Sequence, residues 1–178
     1  PNGKAVVLKS DGQVEVVGET TVAEDIPSSS EYVFHAALMN DVSTEFDPNT
    51  ANKFVVAYGG NSEATGKAVV GTVSGTSISF GTEVVFNSGS TNFGTTSFDP
   101  NTANKFVVSY QDTGNSSYGT AIVGTISGTS ISFGSEIVFN SANTELTVVA
   151  FDPSNAGKLA ITYADYGNSQ YGTVIVGN

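Results

Sequence analysis

Two polar loops carry the side chains best suited to chemistry: "QDTGNSSYG" at 111–119 and "ADYGNSQYG" at 164–172. Asp112 and Asp165 are equivalent, as are Asn115 and Asn168, with Tyr110 and Tyr118 flanking one loop and Tyr163 and Tyr171 the other. Aspartate with nearby Asn and Ser supplies hard oxygen ligands suited to calcium. Tyrosines at a loop rim offer a ring face to a sugar and a hydroxyl to bond it. These eight residues are the candidate ligand set; no cofactor is expected, with calcium the alternative at the Asp and Asn side chains. The competing reading is structural: Asx bonds hold a tight polar turn, and the tyrosines pack between repeats. The corresponding stretch "YGGNSEATG" at 58–66 has lost the aspartate.

Catalytic constellations are scarcer. His35 is the only histidine, so it has no His or Cys partner for a metal. No G-x-S-x-G elbow occurs. Paired carboxylates for glycoside hydrolysis need two acids on one cleft wall. Glu83 and Glu136 occupy equivalent positions, which argues for structure over a unique site. We expect no enzyme.

Composition narrows the partners. The net charge is −11, from 17 acidic residues against 6 lysines with no arginine. Nucleic-acid binding is disfavoured, because phosphate neutralisation needs clustered Lys and Arg. Anionic lipid is disfavoured on the same ground. No apolar run approaches the roughly 18 residues needed to span a membrane, so membrane insertion is not expected. Without cysteine there are no disulfides, thiolate zinc sites or Cys nucleophiles.

What positions these residues is a repeat. "FDPNTANKFVV" occurs at 46–56 and again at 98–108, and "FDPSNAGKLAI" follows from Phe151. The aspartates Asp47, Asp99 and Asp152 are 52 and 53 residues apart. Gly66, Gly119 and Gly172 open a second landmark at the same period, and "GKAVV" from Gly3 makes the first twenty residues the tail of an earlier repeat. From Gly75 and Gly128 to the next aspartate is 24 residues, but from Gly12 it is 35. The first copy thus carries about 11 extra residues, expected at about 23–41. That segment holds Glu24, Asp25, Glu31, His35 and Asp41, the one place where the repeat's symmetry breaks.

Each period reads as four strands. "GTTSFDP" and "KFVVSY" flank an Asp-Pro turn; "GTAIVGTI" and "SISFGSEIVF" flank a tight "SGT" hairpin turn, with Gly134 expected at a bulge. "EYVFHAALM" is the only helical contender. The organisation expected is a partial repeat at 1–45 with two strands, repeats at 46–97 and 98–150, and a partial repeat at 151–178. That is 13 strands of an all-β, β-propeller-like array with about three four-stranded antiparallel blades. Three blades do not close alone, so the chain is expected to be part of a longer array or to homo-oligomerise. The runner-up is an open solenoid or a sandwich. The Asp-Pro and "SGT" turns agree nearly letter for letter between copies, whereas the second-to-third-strand loop and the segment after "VFN" differ. Those two sets should lie at opposite ends of the strands.

The stretches "YGTAIVGTISGTSISFGSEIVFNSANT" and "FDPNTANKFVVSY" resemble tandem repeats of tail-fibre and other virion-surface proteins of marine bacteriophages, especially those of cyanobacteria. The resemblance is best from Phe46 to Val176. It implies a non-enzymatic structural or adhesion role at the virion surface, with other virion proteins or a host surface glycan as partners. It carries over no site residues. The alternatives are a lectin-like, extracellular glycan-binding propeller and a fragment of a larger propeller enzyme.

Overall fold

A computed structural model of the chain describes residues 6–8, 14–16, 30–60 and 64–178. These residues fall in two compact units, Pro1–Glu31 and Tyr32–Asn178. In the first, β1 (Val6–Leu8) pairs antiparallel with β2 (Val14–Val16).

Among the described residues of the second unit the regular elements are antiparallel strands and two short 3-10 turns. Module A holds β3 (Met39–Phe46), β4 (Lys53–Gly60), β5 (Gly66–Ser74), β6 (Ser77–Phe80) and β7 (Val84–Asn87). Module B holds β8 (Thr91–Phe98), β9 (Lys105–Asp112), β10 (Tyr118–Ser127), β11 (Ser130–Phe133) and the first half of β12 (Ile137–Phe151). Module C holds the second half of β12 with β13 (Leu159–Asp165) and β14 (Tyr171–Gly177). In modules A and B the strands meander in order, and both pieces of the fourth strand lie along the third. No sheet closes into a barrel.

The expected 13 strands become 14 among the described residues. The fourth strand breaks after Phe80 and after Phe133, where Gly81 and Gly134 each donate N–H to a third-strand carbonyl, Val70 and Val123, at 2.9 Å. Its second piece in module B then runs straight into module C as the 15-residue β12. "EYVFHAALM" is not helical; the chain is irregular from 30 to 38 and then enters β3. The hairpin turns hold Gly75 and Gly128 at φ +59° and +64°, the left-handed first position that favours glycine.

The modules stack face to face. Val55, Ala57, Ala68, Val70 and Phe86 of A pack on Phe106, Val108, Tyr110 and Ile122 of B. Val107 on the other face of B, with Ala121 and Phe139, packs on Val149, Ile161 and Tyr163 of C. An aromatic contact marks each junction. Phe86 lies 5.1 Å from Tyr110, and Phe139 lies 5.2 Å from Tyr163. Phe34 lies 5.3 Å from Tyr58 in the same way, on the outer face of A. Phe34, Phe86 and Phe139 are 52 and 53 residues apart, and "EYVF" from Glu31 aligns with "EVVF" from Glu83, so the chain from Glu31 onward is in register with the repeat and the extra residues expected at about 23–41 fall before Glu31 in that alignment. Residues 17–29, with Glu24 and Asp25, lie outside the described residues.

The Asp-Pro turns join the modules. Within each turn one carboxylate oxygen accepts the backbone N–H two residues on, from Asn49 to Asp47, Asn101 to Asp99 and Ser154 to Asp152, at 2.8–2.9 Å. The other oxygen reaches the next module. Asp47 Oδ2 accepts from Asn104 N at 3.3 Å, and Asp99 Oδ2 accepts from Gly157 N at 3.1 Å. The side-chain amides of Asn49 and Asn101 donate across the same junctions, to the Asp99 and Asp152 carbonyls. Asp47 and Asp99 are buried. Burial opposes ionisation of Asp99, but hydrogen bonds from Thr102, Asn101 and Gly157 outweigh it and hold the carboxyl below its usual range.

Replacing Asp99 with Ala removes several bonds from a buried junction, an expected loss of about 2–4 kcal/mol in urea denaturation. Asp152→Ala should cost much less, because Asp152 bonds only its own turn. The Asp99 carboxyl titrates lower in the folded state than in the unfolded one. Its contribution is therefore full above pH 3.8 and lost as pH falls through the lowered folded value. The unfolding midpoint of the parent should drop on acidification through this range, and the Asp99→Ala variant should drop less steeply.

Candidate functional site

The strand ends separate into two sets. At one end, the Asp-Pro turns meet the "SGT" turns: Lys53 Nζ donates to the Gly128 carbonyl at 3.0 Å, and Val73 and Ile126 donate N–H to Asn52 and Asn104. At the other end, the second-to-third-strand loops meet the fourth-to-first connections: Thr113 N donates to the Ser90 carbonyl at 2.9 Å. The Asn140 amide donates to Asp165 at 3.1 Å. The uniform and diversified segments thus occupy opposite ends, as the sequence predicts.

The candidate ligand residues divide sharply at the diversified end. Tyr110 is fully buried and Tyr163 nearly so, so neither ring face is open to a sugar; both pack between modules. The Tyr110 hydroxyl donates to Glu136 at 2.7 Å. Burial, that bond and the charges of Glu136 and Asp112 push it far above the usual phenol range. Asp112 is buried and caps a 3-10 turn, accepting from Asn115 N at 3.2 Å. Asp165 caps the equivalent turn through Gly167 N at 2.9 Å. Both turns exit through left-handed residues, Ser116 and Ser117 in one and Ser169 and Gln170 in the other. The aspartates are thus engaged by backbone. Among the described residues no three His, Cys, Asp or Glu side chains cluster to hold a metal.

Asn115, Asn168 and Tyr171 remain exposed at this end, and Tyr118 is half-buried. Beside them runs a row of amides the sequence does not reveal. Asn92 Nδ2 donates to Gln111 Oε1 at 3.0 Å, and Gln111 Nε2 donates to Asn143 Oδ1 at 2.7 Å. Tyr166 donates its hydroxyl to Glu145 at 2.9 Å. Asn92 and Asn143 come from first-strand segments 51 residues apart, so only the stacking of modules brings them together. Gln111 is buried with both amide atoms engaged, so only Asn92 and Asn143 at its two ends are exposed, as amides suited to a hydroxyl-rich or peptide-like surface.

The Tyr–Glu pair recurs between Tyr58 and Glu83, with His35 added. His35 Nδ1 is 2.7 Å from Glu83 Oε1 and 3.3 Å from the Tyr58 hydroxyl, and Lys67 Nζ is 3.8 Å from Glu83 Oε2. Burial works against the Glu83 charge, but the bonds from Tyr58 and His35 and the charges of His35 and Lys67 hold its carboxyl below the usual range. His35 aligns with Asn87 and Asn140, so it is a substitution in the repeat and not part of an insertion. The signal was present in the sequence: "EYVF" at 31–34 matches "EVVF" at 83–86 and "EIVF" at 136–139. His35 Nε2 is buried without a hydrogen-bond partner, so the described residues bring no hydroxyl nucleophile to it.

No protein-family model matches the chain, and no curated protein matches it.

Tyr110→Phe deletes a bond from a buried hydroxyl to a carboxylate and should cost about 1–3 kcal/mol by denaturant titration. His35→Asn installs the residue found at 87 and 140 and should cost less than about 1 kcal/mol. A loss above that would show that the His35–Glu83–Lys67 cluster stabilises this junction beyond the repeat's ordinary packing.

Proposed function

We propose that the chain is a non-enzymatic structural and adhesion module of a phage particle, a tail-fibre or capsid-surface protein built as a β-propeller-like array. The module displays its diversified end to a host surface polymer or to another virion protein. One observation carries this reading. The hydrogen bonds that fix module to module at the Asp-Pro end use invariant letters, whereas the opposite end changes its side chains from copy to copy. A scaffold with a recognition end has this division, because loops held by a rigid framework can vary without loss of fold. Weak contacts at each site gain strength when many copies sit on one particle.

A lectin-like reading, in a secreted or surface protein, has its own support in the amide row Asn92–Gln111–Asn143 and in the exposed Tyr171. It differs in the ligand: a glycan bound in the absence of any particle. An enzyme fragment draws no support from the described residues.

Immunogold labelling of cyanophage particles with antibody raised against the chain tests the first reading; surface labelling supports it, and unlabelled particles that lack the chain in their protein content overturn it. Binding of the labelled chain to host cells gives the second measurement. Asn115→Ala with Asn168→Ala should weaken binding several-fold while leaving the melting temperature within a few degrees of the parent. Binding unaffected by changes at the diversified end would remove that end as the recognition surface.

A further inference from the structure

A shallow groove of about 430 Å³ opens where module A meets module B, beside their fourth strands. Val85, Phe86 and Ser88 wall it from A, and Ile122, Phe133 and Glu136 wall it from B. Modules A and B each contribute all four strands of the repeat at this junction. Phe86 and Ile122 are buried and Phe133 is partly so, with the two phenyl rings 5.7 Å apart. Val85 and Glu136 are exposed. The groove thus has an apolar base and wall and carries one carboxylate.

The repeat supplies its own comparison. Glu136 is equivalent to Glu83, and each accepts a hydrogen bond from a tyrosine hydroxyl, Tyr110 or Tyr58. Glu83 also meets a histidine and a lysine of its own chain, His35 Nδ1 at 2.7 Å and Lys67 Nζ at 3.8 Å. Around Glu136 the positions equivalent to His35 and Lys67 hold Asn87 and Thr120. Asn87 turns its Oδ1 to Gly89 N at 2.8 Å, and Thr120 is fully buried. Glu136 is left with the Tyr110 hydroxyl, 2.7 Å from Oε1, and among the described residues no basic side chain lies within ion-pairing distance of it. A carboxylate that the fold pairs in one copy is unpaired in the next.

We propose that this groove docks a lysine side chain of a partner protein, with the ammonium on Glu136 Oε2 and the aliphatic stem along Phe133 and Val85. Lysine is amphipathic in the same way as the groove, an apolar stem ending in a compact charge. The Tyr110 hydroxyl already engages one carboxylate oxygen, so the two-pronged pairing that an arginine fork prefers is not on offer. In module A the same carboxylate position already takes Lys67. Long-range charge acts in the same sense. The chain carries −11, with 6 lysines and no arginine, so it attracts a basic partner. The site lies in the junction itself and does not depend on what the diversified end binds.

NMR titration of the isotope-labelled full chain with Nα-acetyl-lysine methylamide gives the first test. Amide shifts are expected at Val85, Phe133, Gly134 and Glu136, and binding should weaken as salt screens the pair. The uncharged norleucine analogue should leave those signals in place, and the arginine analogue should bind several-fold more weakly. No shift at these residues up to the solubility of the lysine probe overturns the proposal, as do shifts scattered over the acidic surface. Tighter binding of n-butylamine than of the lysine probe would assign the groove to a free amine and overturn the docking of a protein side chain.

Variants locate the site. Glu136→Gln keeps an oxygen for the Tyr110 hydroxyl, so the fold should persist while affinity for the probe falls about tenfold or more. Glu83→Gln, at the carboxylate already paired, should leave the affinity unchanged. Thr120→Lys restores the lysine of module A and should close the groove to the probe. Because a lysine at a buried position can disturb module B, the Glu136→Gln result decides. Undiminished binding in folded Glu136→Gln overturns the proposal, and so does an equal loss in Glu83→Gln.

Discussion

The second oxygen of the Asp-Pro aspartate is the contact on which the array depends. A buried carboxylate is costly unless its lone pairs are filled. Here one oxygen closes the local turn and the other receives a backbone N–H from the next module. The N–H it takes belongs to a residue held in the left-handed region, Asn104 or Gly157, whose carbonyl or neighbouring turn atoms already bind its own module. A single side chain thereby fixes the turn, neutralises its own burial and sets the spacing between sheets. Eleven letters recur unchanged because they answer to two modules at once.

Along the first strands a second series of links completes the junctions. A first strand has only one hydrogen-bonded neighbour in its own sheet, so its outer N–H groups need acceptors. Ser43, Glu45 and Thr95 provide them from the module before. Between these polar seams lie the apolar faces, with Phe34, Phe86 and Phe139 each turned onto a tyrosine of the following module. The tyrosine hydroxyl then reaches out of the core to Glu83 or Glu136. Core packing and surface charge are thus coupled at Tyr58 and Tyr110.

The acidity of the chain follows the same division. Its most buried aspartates are saturated with backbone N–H bonds, and Asp112 and Asp165 are spent on caps. What is left at the diversified end is mostly amide, hydroxyl and tyrosine, with few charges, resting on a framework that does not vary. Of its exposed side chains, Asn143 still bonds across a junction, to Gln111 of the module before.

The sequence by itself determined the period, the four-strand unit, the turns and the assignment of loops to opposite strand ends. All of these rest on interactions between residues a few positions apart: alternating β-branched side chains, Asx bonds, a glycine with positive φ. Only the tertiary structure decided that Tyr110 and Tyr163 are core residues and not a sugar platform, and that Asp112 and Asp165 cap turns. It alone brought Asn92, Gln111 and Asn143 into one row. The physical reason is that a side chain's exposure and partners depend on the sheet stacked against it, about 50 residues away. No local pattern records which of two faces that neighbour will cover.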